Sequence, residues 1–148
     1  MVAKTELTLA IQYVADKSGL PDKQMFAKWA QATLRKPAEV TIRLVDQQEG
    51  ESLNRQFRGK HTATNILTFV YVNDIFIHGD IALCVPVIHA ESIQQQKSLE
   101  SHYAHLTVHG LLHLQGFDHL DDVEAATMEA LEIDILSKLG FSNPYDIV

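Results

Sequence analysis

Leu7, Leu9, Ile11 and Tyr13 alternate with polar or small residues, the period of a strand buried on one face. Gly19-Leu20-Pro21 breaks that pattern, and Pro21 suits the first turn of a helix, where its missing N–H does no harm. Phe26, Trp29, Ala30 and Leu34 follow at helical spacing until Lys36-Pro37 stops them. Val40, Ile42 and Leu44 alternate again as a second strand, and Asp46 is placed to N-cap a short helix carrying Leu53 and Phe57. Residues 58–64 are polar and predict a loop; residues 65–72, rich in β-branched and aromatic side chains, predict a third strand. Asn73-Asp74 begins a turn, and Gly79-Asp80 opens a fourth strand running through Val85. Pro86 starts a helix towards Glu100, a second helix covers about 101–115, and a third about 122–139 with Ala126, Leu131, Ile135 and Leu139 among its apolar positions. Gly140 closes the last of them, with Pro144 beyond.

The order strand, helix, strand, helix, strand, strand and then three helices predicts an α+β fold. Residues 1–148 form a single domain in this reading, a four-stranded mixed sheet packed with about five helices. No repeat, linker or low-complexity segment interrupts it.

Candidate chemistry concentrates in the run His109-Gly110-Leu111-Leu112-His113-Leu114-Gln115-Gly116-Phe117-Asp118-His119. Residues four apart share a helix face, so the imidazoles of His109 and His113 can reach one metal ion. Gly116 offers the left-handed conformation that ends a helix and returns the chain, bringing His119 back as a third nitrogen ligand. Three protein ligands leave a fourth position for water, the arrangement of a catalytic zinc on a zincin-like metal helix. Leu111, Leu112, Leu114 and Phe117 supply a dry shell around it.

Composition sets broad bounds. With 46% hydrophobic and 21% charged residues the chain is an ordinary globular one. No apolar run approaches the roughly 20 residues that span a bilayer, and no basic-then-apolar signal opens the chain, so a cytoplasmic protein without membrane contact is expected. Cys84 is the single cysteine, which excludes an internal disulfide and suggests a buried, inert thiol. The net charge of −7 argues against nonspecific nucleic-acid binding through the whole surface. The charge is uneven, though: Asp118, Asp121, Asp122, Glu124, Glu129, Glu132 and Asp134 crowd the last third, whereas Arg55, Arg58, Lys60 and His61 form a basic group in mid-chain. An acidic protein can still hold a phosphate locally.

The spacing His-x-x-x-His-x-x-Gly-x-x-His matches the metzincin metalloproteases, but their catalytic glutamate follows the first histidine, and here that position is Gly110. Glycine cannot take a proton, so a zinc metallopeptidase-like hydrolase would need a base from elsewhere, such as Asp118 or Glu124.

Beyond the histidines, the chain carries Leu53-Asn54, Arg58-Gly59-Lys60, Thr64-Asn65-Ile66-Leu67-Thr68-Phe69, Gly79-Asp80-Ile81 and the ending Phe117-Asp118-His119. Together, in this order, these resemble the YbeY family of bacterial endoribonucleases over nearly the whole chain. The segment between Phe69 and Gly79 is shorter than in many relatives. The resemblance implies a zinc-dependent, single-strand-specific endoribonuclease of the cytoplasm, acting in 3′-end maturation of 16S rRNA and in ribosome quality control. It further implies one Zn2+ per chain held by His109, His113 and His119, Arg58 as a catalytic residue, and single-stranded RNA, rRNA and the ribosome or its proteins as partners. A ribosome assembly factor whose metal is mainly structural is the alternative beside it, and the oligomeric state is left open.

The residues are compatible with that. Arg58 is permanently charged and can grip a phosphate through paired N–H groups. RNA brings its own nucleophile, the 2′-OH, so a dedicated carboxylate base is less necessary than in a protease. Attack by the 2′-OH leaves a 2′,3′-cyclic phosphate and attack by water a linear end, and both remain open. Asn65 is a candidate for holding the RNA strand beside the metal, or a strand-entry residue satisfying turn backbone. Asp118 is placed to accept a hydrogen bond from a ligand imidazole and orient it. Asp80 reads as structural, His102 and His105 as residues flanking the ligands, and the acidic final helix as a solvated face or a site for a basic ribosomal protein.

Overall fold

The computed structural model describes residues 6–14, 16–59 and 64–146. Along the chain run β1 (Leu7–Tyr13), α1 (Lys23–Thr33), β2 (Ala38–Val45), α2 (Gln47–Arg58), β3 (Ile66–Asn73), β4 (Ile77–Cys84), α3 (Val85–Gln94), α4 (Leu99–Leu114) and α5 (Asp122–Lys138). The α+β expectation, with a four-stranded mixed sheet and five helices, holds among the described residues. Strand order is β1-β2-β4-β3. The first three neighbours are parallel, with Ile42 opposite both Ile11 and Ile81, and β3 runs antiparallel to β4 as an exposed edge.

The period-2 pattern of β2 divides its side chains between two faces. Val40, Ile42 and Leu44 enter the core with Ile81 and Leu83 of β4, Phe26 and Trp29 of α1, and Tyr103, Val108 and Leu111 of α4. Thr41 and Arg43 point the other way, where Leu53 and Phe57 of α2 lie over the sheet. Arg43 binds Glu49 through two parallel hydrogen bonds, at 2.5 and 2.9 Å, and so fixes α2 to β2. Asp46 caps α2 as expected, accepting from the Glu49 backbone N–H at 2.9 Å.

Gly79 departs from expectation. It does not open β4 but lies inside it, because a Cβ there would fall 2.7 Å from Leu114 Cδ2 and 2.8 Å from the Phe69 carbonyl. Glycine lets α4 sit close on the sheet, beside a register shift between Val70 and Val72. The helix expected to run to Glu100 stops at Gln94, Gln96 takes a positive φ of 55°, and Ser98 caps α4 by accepting from Ser101 N–H at 3.1 Å. Neither Gly nor Pro marks that break. Pro21 precedes the cap of α1, which is Asp22, and its carbonyl accepts from the Tyr13 hydroxyl.

Cys84 is 2% exposed, and burial pushes its thiol pKa up. Iodoacetamide at neutral pH is therefore expected to leave Cys84 unlabelled in the native protein and to label it on unfolding, as read by mass spectrometry. Rapid native labelling would refute that. No helix among the described residues is long and apolar enough to cross a membrane.

Candidate metal centre

Helix α4 presents a stripe of histidines at 102, 105, 109 and 113, spaced so that each lies one turn from the next. Its opposite side is buried, and that packing fixes the stripe's direction. After Leu114 the chain reverses: Gly116 N–H donates to the His113 carbonyl at 3.0 Å and Phe117 N–H to the Leu112 carbonyl at 3.1 Å, with Gly116 at φ 98°. Gln115 locks this end, its amide donating to the Thr33 and Leu111 carbonyls and accepting from Arg35 N–H, all at 3.1 Å. The turn returns His119 to the helix face.

His109, His113 and His119 each place a ring nitrogen so that all three lie within 4.8 Å of one another. His109 Nε2 and His113 Nε2 are 3.1 Å apart. Tetrahedral Zn–N bonds of about 2.0–2.1 Å require nitrogens about 3.3 Å apart, so the residues present fit a zinc ion. Burial is the main cause that lowers the pKa of His113, helped by His109; the Asp118 charge opposes it. A neutral imidazole is the form that binds metal. Side-chain exposures of 22%, 19% and 57% at positions 109, 113 and 119 make the centre accessible from one side.

That side is a cleft of about 610 Å³, lined by the three histidines, Asp118, Phe57, Arg58 and residues 64–69 at the start of β3. Arg58 enters it from the last turn of α2, where Gly59 at φ 69° ends the helix. Lys60 and His61 lie outside the described residues. Asn65 borders the cleft, but its amide nitrogen is held by Glu91 at 3.0 and 3.2 Å, and its carbonyl accepts from Cys84 N–H at 2.9 Å. It anchors the entry of β3.

Asp118 is placed otherwise than expected. Its Oδ1 accepts from the His119 backbone N–H at 2.8 Å and stays 3.9 Å from His113 Nδ1 and 3.8 Å from His119 Nδ1, beyond hydrogen-bond reach of either ring. The carboxylate that touches a candidate ligand is Glu132 of α5, only 1% exposed and 3.3 Å from His109 Nδ1. Glu132 also accepts from His105 Nε2 at 2.5 Å and from the Tyr145 hydroxyl at 2.8 Å. Burial raises its pKa, yet hydrogen bonds from His105 and His109 outweigh that and hold it down at about 2. His102 pairs with Glu91 at 2.9 Å. Asp80 accepts from the Tyr71 hydroxyl at 2.7 Å, a structural use, but inside β4 and not at the strand start expected for it.

A family model described as endoribonuclease YbeY matches residues 12–140. Endoribonuclease YbeY of Nitrosomonas europaea is 59% identical over 142 residues, covering 96% of this chain and 87% of that protein. Endoribonuclease YbeY of Nitrosomonas eutropha is 55% identical over 139 residues, covering 94% and 99%. The solution structure of a Thermotoga maritima protein shares the fold at a TM-score of 0.58 and 21% identity, covering 94% of this chain and 99% of that one. With a family model spanning most of its length and relatives above half identity, this chain belongs to the endoribonuclease YbeY family.

Proposed function

We propose that this protein is a zinc-dependent, single-strand-specific endoribonuclease of the cytoplasm that matures the 3′ end of 16S rRNA and serves ribosome quality control. The observation that carries the reading is the convergence of three imidazoles and one arginine on a single open cleft beside an edge strand. Relatives of high identity bear the name endoribonuclease, which supports it.

His109, His113 and His119 would hold one zinc ion per chain, which when bound supplies Lewis-acid stabilisation of charge on a phosphoryl oxygen. The protein's own groups do the rest. Arg58 pairs its planar N–H fork with the phosphate and balances charge that builds on it. The exposed edge of β3 offers backbone donors and acceptors to an extended strand laid along it. A duplex keeps its phosphates on a stiff double cylinder, whereas a single strand can bend one phosphate down to the histidines. Asn65, tied to Glu91, holds the start of that edge in place. A peptidase is less well served, because Gly110 has its α-carbon turned to the sheet, 2.8 Å from Ile66 Cδ1 for any added Cβ.

Purified protein of verified zinc content, incubated with a single-stranded RNA, its duplex and casein, is expected to cut the first alone. Arg58→Ala is expected to slow that cleavage by about 10- to 100-fold with zinc content unchanged, and Arg58→Lys to recover little, since an ammonium lacks the fork. Casein hydrolysis, or duplex cut as fast as single strand, would overturn the assignment. Normal rRNA 3′ ends in depleted cells would remove the maturation role.

A further inference from the structure

A carboxylate with 1% exposure needs partners, because an unpaired charge out of water is strongly unfavourable. Glu132 has three, two on α4 and one in the segment after α5. His105 comes from α4 one turn before the first ligand, His109 is the ligand itself, and Tyr145 comes from the segment after α5. Lys97 Nζ holds that segment down by donating to the Pro144 carbonyl at 2.6 Å. We infer that Glu132 is a positioning residue of the metal centre: His105 and Tyr145 hold its Oε1, and its Oε2 accepts a hydrogen bond from His109 Nδ1–H, turning Nε2 of that ring towards His113 Nε2. The inference rests on the metal reading of His109, His113 and His119 given above.

An ionised carboxylate only accepts, so each of its partners must donate. His109 thus carries its proton on Nδ1, and the lone pair on Nε2 faces His113 Nε2 at 3.1 Å. At that distance His113 Nε2–H can donate to the lone pair, and a cation shared by the two nitrogens would take that proton's place. The same carboxylate sorts the histidine stripe. His105 lies one turn from His109 with ring centroids 6.4 Å apart, but its Nε2 is taken by Glu132, which withdraws it from the ligand set. With His102 held by Glu91 of α3 and His105 by Glu132 of α5, two of the four aligned histidines are engaged by acids on other helices. Tyr145, in the segment after α5, gives the carboxylate a third support.

Metal-stripped full chain, Glu132→Gln, Tyr145→Phe and the double variant are titrated with cobalt(II) against a chromophoric chelator, following the visible d–d band. Glu132→Gln is expected to weaken cobalt binding by about 10- to 100-fold and to shift the band, as loss of a group that orients a ligand does. Tyr145→Phe, at a residue 42% exposed, is expected to weaken it a few-fold in the same direction while the apo protein melts as the parent does. The double variant should be no weaker than Glu132→Gln alone, because Tyr145 acts through Glu132. Parent affinity and an unshifted band in folded variants would overturn the inference and leave the metal reading standing. If Glu132→Gln does not fold, parent affinity in Tyr145→Phe overturns it by itself. A parent chain that takes up no cobalt sinks the metal reading and this inference with it.

Discussion

His113→Ala is expected to abolish RNA cleavage, by about a thousandfold or more, while the protein stays folded. A ligated ion supplies several kcal/mol of transition-state charge stabilisation, and about 4 kcal/mol corresponds to that factor. His113 is the ligand whose loss matters most, because it neighbours both others, with ring centroids 4.6 Å from His109 and 5.1 Å from His119. Without it, two imidazoles with centroids 5.6 Å apart face each other across the empty position. Stability should change little. The side chain points to the cleft, and alanine is the best helix former for the last turn of α4. Zinc content is expected to fall from one per chain to a small fraction, and the melting temperature of the apo protein to remain within about 3 °C of the parent. Chelation of the parent should reproduce the loss, and zinc should restore it. Cleavage at the parent rate by a folded variant without zinc would remove the ion from the chemistry.

Why His113 could be singled out at all, and Glu132 could not, is a matter of which physical signal each residue carries. Two histidines four apart on a helix, then a glycine where the helix ends, specify one geometry, and the turn at Gly116 has it. Asp46 before a helical run is likewise local, and its cap is present. Glu132 had a signal too, but a weaker one. It shares a stripe with Met128, Ile135 and Leu136, all buried, whereas the run of acids around it suggested a solvated face. The stripe expected from Ala126, Leu131, Ile135 and Leu139 is rotated from the buried one, because polar spacing misleads when the core face itself contains a glutamate. Gly79 illustrates a second limit. A glycine at a strand start and a glycine leaving room for Leu114 are spelled alike, and only the approach of α4 separates them. The break between α3 and α4 rests on Gln96 at positive φ, with no residue that favours it. Local chemistry was legible; distances between elements were not.

Gly110 joins the fold to the site most tightly, and Gly110→Glu is expected to destabilise the protein by about 3 kcal/mol or more and to create no peptidase. The change restores the metzincin spelling, yet position 110 lies on the sheet-facing side of α4. A Cβ there would sit 2.8 Å from Ile66 Cδ1, 3.1 Å from Ile81 Cδ1 and 3.4 Å from Thr68 Cγ2. Alanine needs only a small rotation of the isoleucine tips, and its better helix propensity, about 1 kcal/mol, offsets that. Gly110→Ala should therefore stay within about 1 kcal/mol of the parent. Glutamate has no such escape. It must push α4 away from β3 and β4 or bury a carboxylate among Ile66, Ile81 and Thr68 with no cation opposite it, and either outcome displaces His109. The melting temperature should fall by about 6 °C or more, and zinc affinity should fall with it. A folded Gly110→Glu protein with parent stability, or one that hydrolyses casein, would mean that residue 110 faces the metal and that the packing of α4 on the sheet has been assigned to the wrong side of the helix.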